Sequence, residues 1–115
     1  MTHSDELIID QALALRLAGN KPDLAREMMM ILAESLPTDI AAIKEAYDAA
    51  NYVELQKRVH KLHGAVCYCG APRLKRAIAN FETALKEEQV ASFSHLYAIL
   101  EAETVQLLVQ ISEIF

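Results

Sequence analysis

Apolar residues recur along this chain at steps of three and four, the pattern of helices that each bury one face. The longest stripe, Leu24, Met28, Leu32, Leu36, Ile40, Ile43, Tyr47 and Ala50, predicts a single long helix. Asn20 is its expected N-cap, and Pro22 falls in the first turn, where a missing N–H is tolerated. Pro37 interrupts the stripe, which resumes in phase, so a kinked helix is expected rather than two helices. Within Met28-Met29-Met30 the spacing assigns Met28 to the core, the alternative being a soft methionine-rich binding surface. Ahead of this element, a first helix is expected from about Asp5 to Ala18, ended by Gly19-Asn20.

A third helix should span about Tyr52 to Tyr68, with Leu55, Val59, Leu62, Val66 and Cys69 inward. Gly70-Ala71-Pro72 reads as a stop followed by a restart. The fourth helix carries Leu74, Ile78, Phe81 and Leu85 and ends near Glu88. The fifth begins near Ser92 and carries Phe93, Leu96, Leu100, Leu107 and Ile111. Short connections between long helices favour antiparallel neighbours. The expected fold is all-α, an antiparallel up-and-down four-helix bundle with an additional short N-terminal helix laid across it.

Composition agrees with that fold and narrows the function. With 115 residues the chain has one domain's worth of core, residues 1–115. Glycine and proline are scarce, and Ala, Leu, Glu, Lys and Met favour helix over strand. A net charge of −5 excludes the basic stripe that nucleic acid binding requires. No apolar run approaches the roughly 20 residues that span a bilayer, and Met1-Thr2-His3-Ser4-Asp5-Glu6 lacks the features of a signal peptide. Cys67 and Cys69 are too close in sequence to staple the fold and are expected as free thiols in a reducing compartment. A cytoplasmic domain, monomeric in isolation and without membrane contact of its own, is the expectation. A membrane anchor elsewhere in a longer parent chain is compatible with it.

Chemistry concentrates on the third helix, in Val59-His60-Lys61-Leu62-His63-Gly64-Ala65. On a wheel of about 100° per residue the core stripe centres about 140° from His60, so this imidazole points to solvent. Val53, Gln56, Lys57, His63, Gly64 and Cys67 share the exposed face. Gly64, one turn from His60, costs the helix about 1 kcal/mol against alanine. A bare patch there would let another protein's backbone approach closely. Three readings fit. An exposed, largely neutral imidazole beside Lys57, Lys61 and His63 can carry a phosphoryl group, a reaction that depends mainly on positioning and charge compensation. The same face can equally be an ordinary polar surface, or a non-catalytic interaction module. His60, His63 and Cys67 at i, i+3 and i+7 are ligand types that suit zinc, but no fourth ligand is evident.

His60-Lys61-Leu62-His63-Gly64-Ala65, then Gly70, Leu74, Ala77 and Phe81-Glu82, resembles the signature of histidine-containing phosphotransfer (HPt) domains. Leu15-Arg16-Leu17-Ala18-Gly19-Asn20 followed by Leu24, and Leu36-Pro37, look like further features of that family. The resemblance covers nearly the whole chain. His63 in place of the usual lysine, with Tyr68-Cys69-Gly70-Ala71-Pro72-Arg73 after it, is most similar to the C-terminal HPt domain of BarA/GacS-type hybrid sensor kinases. The resemblance implies a phosphorelay intermediate in which His60 is phosphorylated through Nε2. Phosphate would arrive from the kinase's receiver domain and leave to a response regulator. Magnesium would sit in the partner, and this chain would hold no cofactor or metal. No nucleotide-binding motif is present, so autonomous kinase activity is not expected. Lys57, Lys61, His63, Gly64, Glu82 and Lys86 would support the phosphohistidine. Glu82 stands where several members have a glutamine that holds the imidazole. A carboxylate there could accept an N–H from His60, yet would repel an arriving phosphoryl group.

Overall fold

The computed structural model describes residues 6–114, and the residues before and after lie outside the description. Five helices follow one another: α1 (Gln11–Leu17), α2 (Pro22–Asp48), α3 (Tyr52–Val66), α4 (Pro72–Lys86) and α5 (Val90–Ile114). Helix α2 packs against α3 and α5, α3 against α4, and α4 against α5. These contacts close a ring of four helices joined by short connections, the expected up-and-down bundle. The core runs through Leu36, Ile43, Leu55, Leu62, Leu74, Ile78, Phe81, Leu100 and Leu107. Phe81 meets the Phe93 ring edge-on, and Tyr47 stacks on Tyr97 with ring centres 4.6 Å apart. Burial raises the Tyr97 phenol well above its ordinary range, and its hydroxyl donates to Glu101.

Three helices end in the same way, which fixes the connections. After α1, α2 and α4 the chain turns through the left-handed region at Gly19, Ala50 and Glu88. The next N–H then reaches back five residues: Asn20 to Leu15 O, Asn51 to Ala46 O and Gln89 to Ala84 O. These paired bonds satisfy carbonyls that the helix leaves open at its end. Asn51 then caps α3 by accepting the Glu54 N–H.

Several sequence expectations need correction. Helix α1 begins at Gln11, not near Asp5, which lies outside the described residues; Asp10 caps it by accepting the Leu13 N–H at 2.9 Å. The Asp10 N–H itself goes to Gly70 O at 2.9 Å, tying the start of α1 to the α3–α4 connection. Asn20 is not the N-cap of α2. It has a positive φ of 63° as part of the α1 ending, and Lys21 occupies the cap with no side-chain bond. Helix α2 runs through Pro37 as one element. Met29, not Met28, is its buried methionine, while Leu24 is exposed and Ala50 lies past the helix end. Helix α1 contacts α2, and Ile9, just ahead of α1, joins Met29 in the core.

Gly70 shows why α1 can dock there. Its φ is +72°, and a Cβ built on it would lie 2.6 Å from Ala14 Cβ. Only glycine fits that position without displacing α1. Beside it, Cys69 is buried and free, its S–H donating to Ala65 O, and burial pushes the thiol up.

Candidate functional site

The amphipathic pattern of α3 turns Leu55, Val59 and Leu62 inward and leaves His60 outside with a side chain 74% exposed. Helix α4 supplies the complement. Ile78, Phe81 and Leu85 commit one face of α4 to the core, and Glu82 lies at the edge of that face, against α3. Its carboxylate is only 6% exposed. A carboxylate so placed must be paired or neutral.

Glu82 is paired on both oxygens. His60 Nδ1–H donates to Oε2 at 2.5 Å, and His63 Nδ1–H donates to Oε1 at 2.6 Å. Lys86 Nζ, one turn along α4, is 3.6 Å from Oε2. Burial pushes the carboxyl up, but the hydrogen bonds from His63 and His60 and the nearby positive charge of Lys86 outweigh it. The carboxyl therefore lies below its ordinary range and is ionised at neutral pH. An ionised carboxylate only accepts, so both Nδ1 atoms must carry the proton. In the neutral rings Nε2 is then the atom with the free lone pair. At His60 that atom belongs to a side chain open to solvent.

Around His60 lies an open hollow lined by Val53, Gln56, Lys57, Glu82 and Lys86. Lys57 and Lys86 bring positive charge to it from two helices. Lys61 is exposed and does not line the hollow. Gly64 is exposed, and a Cβ there would meet no atom within 4 Å. Nothing in the packing of the domain itself requires a glycine at that position.

His63 departs from its expected place on the open face. Its side chain is 27% exposed and turned to α4, where Glu82 holds it. The sequence reading considered Glu82 only as a partner of His60 and missed that it bridges two imidazoles. The available signal was a lone carboxylate among apolar positions of α4, opposite two histidines three apart on α3. Cys67 lines a different hollow with Val66, Gly70 and Ala71, so the three zinc-type ligands do not converge. Among the described residues, no group of three or more His, Cys, Asp or Glu is arranged to hold a metal ion. Also among them, no helix is long and apolar enough to cross a membrane.

Comparison with known proteins gives this arrangement its context. The model of the Hpt domain family matches residues 27–112. The sensor histidine kinase GacS of Pseudomonas protegens is 46% identical over 89 residues, covering 77% of this chain and 10% of the kinase. The signal transduction histidine-protein kinase BarA of Escherichia coli is 38% identical over 78 residues, 68% of this chain and 8% of that protein. The chain thus spans about a tenth of the length of these relatives. Among solved structures, the HPT domain of an Hpt sensor hybrid histidine kinase from Shewanella superposes with a TM-score of 0.85. It is 30% identical, with 93% of this chain and 92% of that one covered. A four-helix bundle with an exposed histidine, matched over most of its length by the family model and by kinase relatives, places this chain in the Hpt domain family.

Proposed function

We propose that His60 accepts a phosphoryl group from the aspartyl phosphate of a receiver domain and passes it to the aspartate of a response regulator. The observation that carries this reading is the bond from His60 Nδ1–H to an ionised, buried Glu82 at 2.5 Å. It selects the tautomer whose Nε2 is nucleophilic and holds the ring on the surface. In the forward step the Nε2 lone pair attacks phosphorus, an N–P bond forms, and the P–O bond to the donor aspartate breaks with its electron pair. The ring becomes cationic as this happens, and the Glu82 carboxylate stabilises that charge from the far side. Onward transfer reverses the roles, with the regulator's aspartate attacking and the electron pair returning to Nε2.

Such a reaction depends mainly on positioning and on compensating phosphoryl charge. Lys57 and Lys86 line the hollow where the equatorial oxygens would lie, and they offset the repulsion that Glu82 would exert. Lys61 adds positive charge from the same surface at longer range. Gly64 leaves room for the partner's backbone. The divalent ion, magnesium, belongs to the receiver domain, and this chain holds no cofactor. The domain works as a cytoplasmic monomer between a hybrid sensor kinase's receiver and a separate regulator, without kinase activity of its own.

Mixing the domain with a phosphorylated receiver domain tests the reading. Label that is acid-labile and base-stable should appear on the wild type and be absent from His60→Gln. An unlabelled wild type, or equal labelling of the variant, would overturn it.

A further inference from the structure

The carboxylate that holds His60 is not left to it alone, and this second engagement has a chemical consequence. Oε1 of Glu82 is taken by His63 at 2.6 Å, while Oε2 faces His60 at 2.5 Å and Lys86 at 3.6 Å. With one oxygen anchored by His63 and the side chain 6% exposed, the carboxylate is held in orientation. We propose that His63 is a positioning residue which, through Glu82, keeps the Nδ1 proton on phosphorylated His60 and thereby speeds departure of the phosphoryl group. This inference rests on His60 being the phosphate acceptor.

The chemistry follows from where one proton sits. If Nδ1 keeps its proton, breaking the N–P bond returns a neutral imidazole. If Glu82 takes the proton, the same cleavage must expel an imidazolate, a far poorer leaving group. The choice depends on the basicity of Glu82. A buried carboxylate with one donor would be a strong base, because burial favours its neutral form. A second N–H donor stabilises the ionised form and lowers that basicity. The groups facing the carboxylate are His60 and His63 from α3 and Lys86 from α4, and the net result is a carboxyl below its ordinary range. His63 touches neither phosphorus nor the leaving nitrogen. It acts on the proton between Nδ1 and Oε2.

Two variants separate this role from simple packing. His63→Leu removes the donor, whereas His63→Asn places an amide N–H near the position of the imidazole Nδ1. Each domain is phosphorylated from a phosphorylated receiver, freed of it, and presented to an unphosphorylated receiver. The onward rate is measured alongside the 15N resonance of His60 Nδ1 in the phosphorylated form. A change of one unit in the basicity of Glu82 corresponds to about a tenfold change in the proton equilibrium. His63→Leu should therefore slow onward transfer, by at most about tenfold for each such unit, and move the Nδ1 resonance toward the unprotonated position. His63→Asn should restore both. A His63→Leu domain with wild-type rate and resonance would overturn the proposal, as would a loss that His63→Asn does not repair. Wild-type domain without label on His60 would instead overturn the function itself, so the two failures are distinct.

Discussion

Glu82 grips His60 from the neighbouring helix, with Oε2 accepting the Nδ1–H at 2.5 Å. The orientation of the exposed imidazole is therefore set by the packing of α4 against α3, not by α3 alone. Anything that shifts that helix pair should alter the tautomer before it alters the fold.

His60 itself should contribute little to stability. Its side chain is 74% exposed, and glutamine in its place retains an N–H that can reach Glu82. His60→Gln should change unfolding free energy by less than about 0.5 kcal/mol in urea titrations. The same variant should accept no phosphate. A larger stability loss would mean that the His60–Glu82 contact holds the bundle together.

Acid should reveal Glu82. Because its carboxyl lies below the ordinary range in the folded state, its contribution is complete above the unfolded value, about 4.3. That contribution is lost as pH falls through the lower folded value. The wild type should lose stability more steeply than Glu82→Gln between about pH 5 and pH 3. Parallel curves from urea unfolding across that range would contradict the ion pairing described here. At neutral pH the amide of Glu82→Gln offers one acceptor oxygen in place of two. One imidazole must then switch Nδ1 from donor to acceptor, a change visible in 15N spectra.

Gly64 separates stability from docking. A Cβ at this position meets open space, so Gly64→Ala should stabilise α3 by about 1 kcal/mol and leave transfer nearly unchanged. Gly64→Gln should keep most of that gain while slowing transfer from a receiver domain, because its side chain occupies the approach to His60. Unchanged transfer rates in Gly64→Gln would show that no partner comes close there.

The helix endings give a test of the backbone. Ala50 and Glu88 carry side chains at positive φ, 52° and 54°. The left-handed region costs such residues about 1–2 kcal/mol, partly offset in glycine by a more flexible unfolded chain. Ala50→Gly and Glu88→Gly should each raise stability by about 0.5–1 kcal/mol. Gly70→Ala should act in the opposite direction, since its Cβ would lie 2.6 Å from that of Ala14. Hydrogen exchange in α1 should accelerate in that variant well before the four-helix core opens.

Much of this architecture was legible in the pattern of apolar residues. The spacing of Leu55, Val59, Leu62 and Val66 oriented α3 correctly and placed His60 outside, because a helix with one neighbouring partner on each side keeps a simple stripe. Helix α2 was read one residue out of register at Met28 and Met29. Three consecutive methionines fit any register, and only the packed core, where Met29 lies with Ile9, distinguishes them. The start of α1 was hidden for a related reason: the Asp10 N–H bonds to Gly70 O, sixty residues away in the chain, not to its own helix. His63 was assigned to the solvent face from its position on the wheel. Its actual direction depends on a carboxylate from another helix, and that pairing is tertiary information with no local periodicity.

The central claim is that Glu82 directs phosphate to Nε2 of His60, and NMR of the phosphorylated domain tests it most directly. With 15N-labelled histidine, 31P–15N coupling and long-range 1H–15N correlations identify the modified nitrogen. The account predicts phosphorus bonded to Nε2 of His60, with Nδ1 still protonated and hydrogen-bonded. Phosphorus on Nδ1 of His60, or on either nitrogen of His63, would contradict it.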